Sequence, residues 1–217
     1  MSDTEYLTEI EIRVLGSLAE KEATTPDNYP LSLNSLVSAC NQLTSREPVM
    51  NLSESEISAA LDALVQKKLV SVIHQAGARV AKYEHKMRVK WMLEQNKLAV
   101  LTILMLRGWQ TAGEIRNRVG RLHEFASVAE VEQCLEFLID KYPPVVARLP
   151  IAPGTKEPRY AHLLAGDEAS LELGAITNTS SGGSKDRIGQ LEQEVQELRA
   201  QVQELSAQLA EFRKQFE

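Results

Sequence analysis

The chain predicts a mainly α fold with small β-hairpins (α+β): two tandem winged helix-turn-helix domains followed by a C-terminal coiled-coil helix. Three observations carry this. The order helix, helix, helix, hairpin is written twice in apolar periodicity and turn residues. The two copies share landmarks: Ser53 with Ser127, Leu61 with Leu135, Leu64 with Leu138, Tyr83 with Tyr160 and His85 with His162, at offsets drifting only from 74 to 77. Near the C-terminus the apolar residues settle into alternating steps of three and four. The boundaries expected are residues 1–88 and 89–165 for the two domains, 166–186 for a linker and 187–217 for the coiled coil.

The first helix is read from "TEIEIRVLGSLAEKEA", where Leu7, Ile10, Val14, Leu15 and Leu18 recur at helical spacing. Thr8 and Glu11 supply a T-x-x-E capping box at its start. "TTPDNYPLS" is dense in turn residues and reads as a loop. A second helix fits "LNSLVSACNQL", and after the polar connector "TSREPVMNL" a third fits "SESEISAALDALVQKKL". Ser53 and Glu56 cap that third helix, and Ile57, Leu61, Leu64 and Val65 form its buried stripe. "LVSVIHQ" and "RVAKYEHK", alternating around Gly77, make the hairpin.

The second copy opens on the strongly apolar "NKLAVLTILMLRG". "TAGEIRNRVG" begins with Thr111 and Glu114, and "SVAEVEQCLEFLIDK" with Ser127 and Glu130, both spaced as capping boxes. "PVVARLP" and "PRYAHLL" close it as a second hairpin. The Ser-, Gly- and Thr-rich run that follows reads as a flexible linker; about 20 such residues span roughly 25 Å r.m.s.. Ile188, Leu191, Val195, Leu198, Val202, Leu205, Leu209 and Phe212 then form the heptad seam. Ile or Val at the early a positions with Leu at d favours a parallel dimer. Arg187 with Glu192 and Glu194 with Arg199 are spaced for opposite-charge pairs across it.

Composition narrows the function classes. The net charge is −6 over 217 residues, so the whole chain does not attract nucleic acid, and any basic surface must be local. Cys40 and Cys134 lie among apolar helical residues, with no paired spacing for a metal, and read as core thiols in a reducing compartment. The acidic start "MSDTEYLTEIE" lacks the apolar stretch of a signal peptide, and "LAVLTILML" is far shorter than the ~20 residues of a membrane span. These features point to a cytoplasmic protein away from membranes. His74, His85, His123 and His162 show no ligand spacing, and there is no phosphate-binding loop or nucleophile elbow. No catalytic residue, metal or cofactor is expected.

The run "KEATTPDNYPLSLNSLVSACNQLTSREPVMNLSESE" at 21–56, with "KYEH", "MLRGWQTAGEIR" and "RYAHL", resembles the YceH-like family of bacterial proteins. The resemblance covers nearly the whole chain. It implies a tandem winged-helix fold and brings no established activity, catalytic residue or ligand.

A winged helix binds DNA most often by laying its third helix in the major groove and its wing on the backbone. From residue 8 to 66 nine acids face three bases, a balance of −6; from 67 to 90 seven bases face Glu84 alone, a balance of +6. The wing is basic, and the third helices are not: one starts with Glu54 and Glu56, the other carries Glu130, Glu132, Glu136 and Asp140. Phosphate contact is therefore expected from Lys67, Lys68, Arg79, Lys82 and Arg159, and from Arg107, Arg116, Arg118 and Arg121. Asn41, Gln42 and Arg46 have side chains able to read bases, though amides equally tie loops together. Tyr83 with His85 and Tyr160 with His162 share one strand face and read as core markers, leaving Lys82 and Arg159 on the other.

The resulting expectation is a non-enzymatic homodimer touching DNA through wing and backbone contacts, as a transcriptional regulator or DNA-organising factor. The alternative is a protein-interaction scaffold whose acidic third helices suit a basic protein partner. One contiguous surface of Lys67, Lys68, Arg79, Lys82 and residues 116–121 favours DNA; scatter favours the scaffold.

Overall fold

Two helices apolar enough to be buried on every side organise the chain. The computed structural model describes residues 6–74, 80–151 and 155–166, all in one compact unit. Arg79, most of the expected linker and the heptad seam from Ile188 to Phe212 lie outside them. In α1 (Glu9–Thr24) every residue from Glu11 to Ala19 is buried, and in α5 (Gln95–Arg107) every residue from Leu98 to Leu106. Neither has a solvent face along those stretches, as expected of helices at the centre of a bundle. They pack on each other where α1 carries Gly16: a Cβ there would stand 2.9 Å from Leu106 Cδ2 and 3.3 Å from Met105 Cβ.

Around α1 lie α2 (Leu33–Cys40) and α3 (Glu54–Gln66); around α5 lie α6 (Ala112–Val119) and α7 (Val128–Ile139). The short α4 (Met87–Lys90) leads from one set to the other. Leu36, Ile57, Leu61 and Leu64 on one side and Ile115, Val119, Leu135 and Leu138 on the other face inward, in a single buried cluster running from Leu7 to Leu164. Each fully buried aliphatic side chain contributes roughly 1.5–3 kcal/mol. Cys40 and Cys134 are buried, unpaired members of it.

The helix starts follow the capping chemistry. Thr8 with Glu11, Ser53 with Glu56 and Thr111 with Glu114 form complete boxes. Ser127 departs from expectation. Its hydroxyl accepts from the Glu130 N–H at 3.3 Å, but the Glu130 carboxylate accepts from the N–H of Ala126 at 3.1 Å, one residue further back. The second helix also ends at Cys40, short of the expected Leu43, because the Asn41 side chain turns away to bond the backbone of Leu52.

Both hairpins are present. Strands β2 (Val70–Ile73) and β3 (Lys82–His85) pair antiparallel, with Val72 opposite Tyr83 and Val70 opposite His85. In the second half β4 (Val146–Arg148) pairs with β5 (Tyr160–His162), Val146 opposite His162. The reading of "TTPDNYPLS" as loop missed a strand. Here β1 (Leu31–Ser32) joins the far edge of β3, with Leu31 opposite Tyr83. The second half repeats this at smaller scale, since Gln110 and Tyr160 exchange backbone hydrogen bonds of 3.2 and 2.8 Å. Leu31 and Gln110 each stand one residue before a helix cap, Ser32 and Thr111, so the duplicated plan extends to a strand that two residues cannot announce by alternation. The described residues are thus an α+β assembly of seven α-helices and two small antiparallel sheets, compatible with the winged-helix expectation.

Candidate functional site

The long connector between α2 and α3 is fastened to the body by buried cations. Arg13, 2 % exposed, donates through Nη1 to Cys40 O at 3.2 Å and through Nη2 to Pro48 O at 2.5 Å. Burial, with the positive charge of Arg46 adding to it, pushes the Arg13 pKa down to about 10. Arg46 donates to Ala39 O through Nε at 3.2 Å and Nη2 at 3.0 Å, and pairs with Glu20 at 2.5 Å. Asn41 clamps Leu52 from both sides, each bond 2.8 Å. The Glu47 N–H donates to Leu106 O at 2.8 Å, tying the connector to α5.

So fastened, Gln42, Thr44 and Ser45 form one wall of an open groove of about 820 Å³. The end of α1 contributes Glu20, Lys21 and Thr24; the end of α5 contributes Arg107; α6 and the turn after it contribute Asn117, Arg118 and Arg121. Among the described residues four cations and one carboxylate line it, and that carboxylate, Glu20, is paired with Arg46 at 2.5 Å and loosely with Lys21 at 3.8 Å. Arg107 Nη2 donates to Ser45 Oγ across the groove at 2.7 Å. Burial lowers the Arg107 pKa, and the neighbouring Arg118 charge lowers it further. Arg118 is oriented by donating to Gln110 Oε1, while Arg121 is exposed with no side-chain partner among the described residues. Concentrated like charge in a concave site favours an anion, and a phosphate placed between Arg107 and Arg118 would relieve their repulsion.

The structure sorts the expected contacts unevenly. Gln42, Arg107, Arg118 and Arg121 come together in this groove. Arg46 is corrected from a possible base reader to a buried structural cation, and Asn41 ties a loop. Lys67 is also occupied, its ammonium donating to Glu11 at 2.9 Å and to Tyr6 O at 3.1 Å. Arg116 bonds Ala126 O at 3.0 Å; Arg159 bonds Trp109 O at 3.1 Å and pairs loosely with Glu114 at 3.8 Å. Lys82 on β3 and Lys68 after α3 remain partly or fully exposed, outside the groove lining. Tyr160 is buried and Tyr83 packs on the core, so the Tyr-X-His strands build structure. His85 is buried and bonds Glu22 at 3.2 Å. Lys21 and Asn117 were not singled out from sequence; Lys21 sits on an acidic helix, and only the packing of α1 beside α5 brings it to the arginines.

Lys67, Lys68, Lys82 and residues 116–121 are therefore not gathered in one groove among the described residues, the scattered arrangement that favours a scaffold over DNA. Lys67 lines a second groove, and the arginines of α5 and α6 line the first. Among the described residues no helix is long and apolar enough to cross a membrane.

Comparison with known proteins gives the same family throughout. Residues 7–155 match the family described as "Protein of unknown function, DUF480". A UPF0502 protein of Herminiimonas arsenicoxydans is 61% identical over 210 residues, spanning 95% of this chain and 89% of the relative. One from Citrifermentans bemidjiense is 51% identical over 95% of this chain and 96% of its own. A third, from Geotalea daltonii, is 48% identical over 97% and 98%.

Proposed function

The chain belongs to the DUF480 (UPF0502) family of bacterial proteins, the family the YceH-like resemblance pointed to, and we propose that it is a non-enzymatic DNA-binding protein using the Arg107–Arg118–Arg121 groove. On this reading the two halves are tandem winged-helix units, the C-terminal heptads join two copies in the cytoplasm, and the protein regulates transcription or organises DNA. One observation carries it: Lys21, Arg107, Arg118 and Arg121 share a groove in which Glu20, the one carboxylate among the described residues, is already matched. The contact shifts from wing to groove, and its chemistry is phosphate binding with little base reading, since Asn117 and Gln42 are the only amides in the lining among the described residues.

Duplex-DNA anisotropy on the full-length protein across a salt series tests this. Four phosphate contacts predict a log–log slope of about −3.6 per protomer. Arg118→Glu with Arg121→Glu abolishes binding, and Arg121→Glu alone, at an exposed side chain with no partner among the described residues, weakens it while leaving the urea midpoint unchanged. No binding at low salt removes the reading, and a monomeric mass for the full chain removes its bivalent form. A second reading, a protein-interaction scaffold, is the one favoured by the scatter of the expected cations, with Lys67 in one groove and Arg118 and Arg121 in another. Glu54, Glu56 and Asp62 on α3 and Glu130, Glu132, Glu136 and Asp140 on α7 and its C-cap are all exposed, a surface that suits a basic protein partner.

A further inference from the structure

The second groove, about 430 Å³, has a different chemistry. Among the described residues three lysines line it, Lys67, Lys90 and Lys141, and no carboxylate does. Between them stand large apolar side chains in water: Tyr142 is 99% exposed and Met92 82%. Met92 also holds φ at +51°, the left-handed region that residues with side chains avoid. Trp91, half-buried, packs its inner side on the core. Exposed apolar groups clustered within a charged rim mark interaction sites far more often than lone exposed residues do.

The duplication builds this rim. Lys67 and Lys141 are 74 residues apart, the offset of Ser53 and Ser127, and each lies just past its helix, α3 or α7. Lys67 is held by Glu11, whereas Lys90 and Lys141 have no carboxylate partner among the described residues; the Lys141 ammonium lies 5.7 Å over the Phe137 ring. Two uncompensated cations thus flank an apolar floor. We propose that this groove docks a short acidic segment of a partner protein carrying an aromatic or aliphatic anchor. Carboxylates pair with Lys90 and Lys141, and the anchor packs on Trp91 and Met92 beside the Tyr142 ring. The adaptable thioether and the Pro143–Pro144 edge suit a side chain of varied shape. Docking and DNA binding use separate grooves, so either can fail alone.

The test is selection of a phage-displayed random dodecapeptide library on the full-length protein, counter-selected on the full-length Lys90→Glu, Tyr142→Ser double variant. Both positions are exposed, so circular dichroism and the urea midpoint of the variant stay at wild-type values. Enriched sequences place Asp or Glu within three residues of Trp, Phe, Leu or Met. A labelled peptide of that consensus binds at least tenfold more weakly to Lys90→Glu and to Tyr142→Ser, and equally well to Arg118→Glu. Enrichment of basic peptides, or none beyond that on the variant, overturns the proposal. So does a dT12 oligonucleotide that binds the wild type and is lost with the same two substitutions, which assigns the groove to single-stranded nucleic acid.

Discussion

Glu22 stands where α1, the start of α4 and the end of β3 meet. Its carboxylate accepts from His85 Nε2 at 3.2 Å and from Arg88 Nη2 at 2.9 Å. Met87 N–H donates to His85 Nδ1 at 3.3 Å, which leaves the ring proton on Nε2, facing Glu22. These bonds, His85 first and then Arg88, outweigh burial and hold the Glu22 pKa at about 2. A depressed carboxylate stabilises the fold above its ordinary pKa and loses that contribution as pH falls from 4.5 through about 2. Because the site is partly solvated, Glu22→Gln is expected to cost about 1 kcal/mol at pH 7 and to flatten the urea midpoint over that acid range. His162 titrates in another window. Among the described residues its buried Nδ1 has no hydrogen-bond partner, and desolvation pushes its pKa from 6.5 down to about 4. As pH falls the unfolded chain takes up the proton first, so stability is intact above 6.5 and drains between 6.5 and 4. That loss amounts to about 3 kcal/mol at most. His162→Phe should remove it and, by deleting an orphaned polar atom, leave stability at pH 7 equal or higher. Urea midpoints from pH 7 to 2 separate the two groups.

At the scale of elements, α1 meets α5 in close contact at Gly16. Gly16 admits Leu106 so closely that Gly16→Val must displace a buried side chain, and overpacking of this kind costs about 1–3 kcal/mol. A lowered urea midpoint with unchanged m-value is the expected result. The caps grade the helices. Ser53→Ala and Thr111→Ala each remove the acceptor of a complete box and should cost about 1 kcal/mol. Glu130→Ala should cost less, because that carboxylate bonds outside the cap. These starts were readable in the sequence because a box needs only two residue types three apart. Strand β1 and the Gln110–Tyr160 bridge were not, since pairs this short have no period and exist only where β3 and β5 offer a free edge.

For the whole molecule, the shared core from Leu7 to Leu164 has a thermodynamic consequence. With α1 and α5 buried against each other, neither half keeps its interior without the other. Residues 6–166 should unfold in one transition, with calorimetric and van't Hoff enthalpies equal; two separated transitions would show that the halves fold independently. Read along the chain, Lys67, Lys68, Lys82 and residues 116–121 could share one surface or scatter. In space Lys67 and Lys90 line one groove and Lys21, Arg107, Arg118 and Arg121 another. The sequence by itself determined the α+β class, the duplicated element order and most helix starts, because periodicity, capping and turn chemistry act over a few neighbours. The tertiary structure alone decided which cations are spent and which are free. Arg46, Lys67 and Arg159 meet partners 26, 56 and 50 residues away. A charge cannot be known as available until the chain has folded its long-range neighbours onto it.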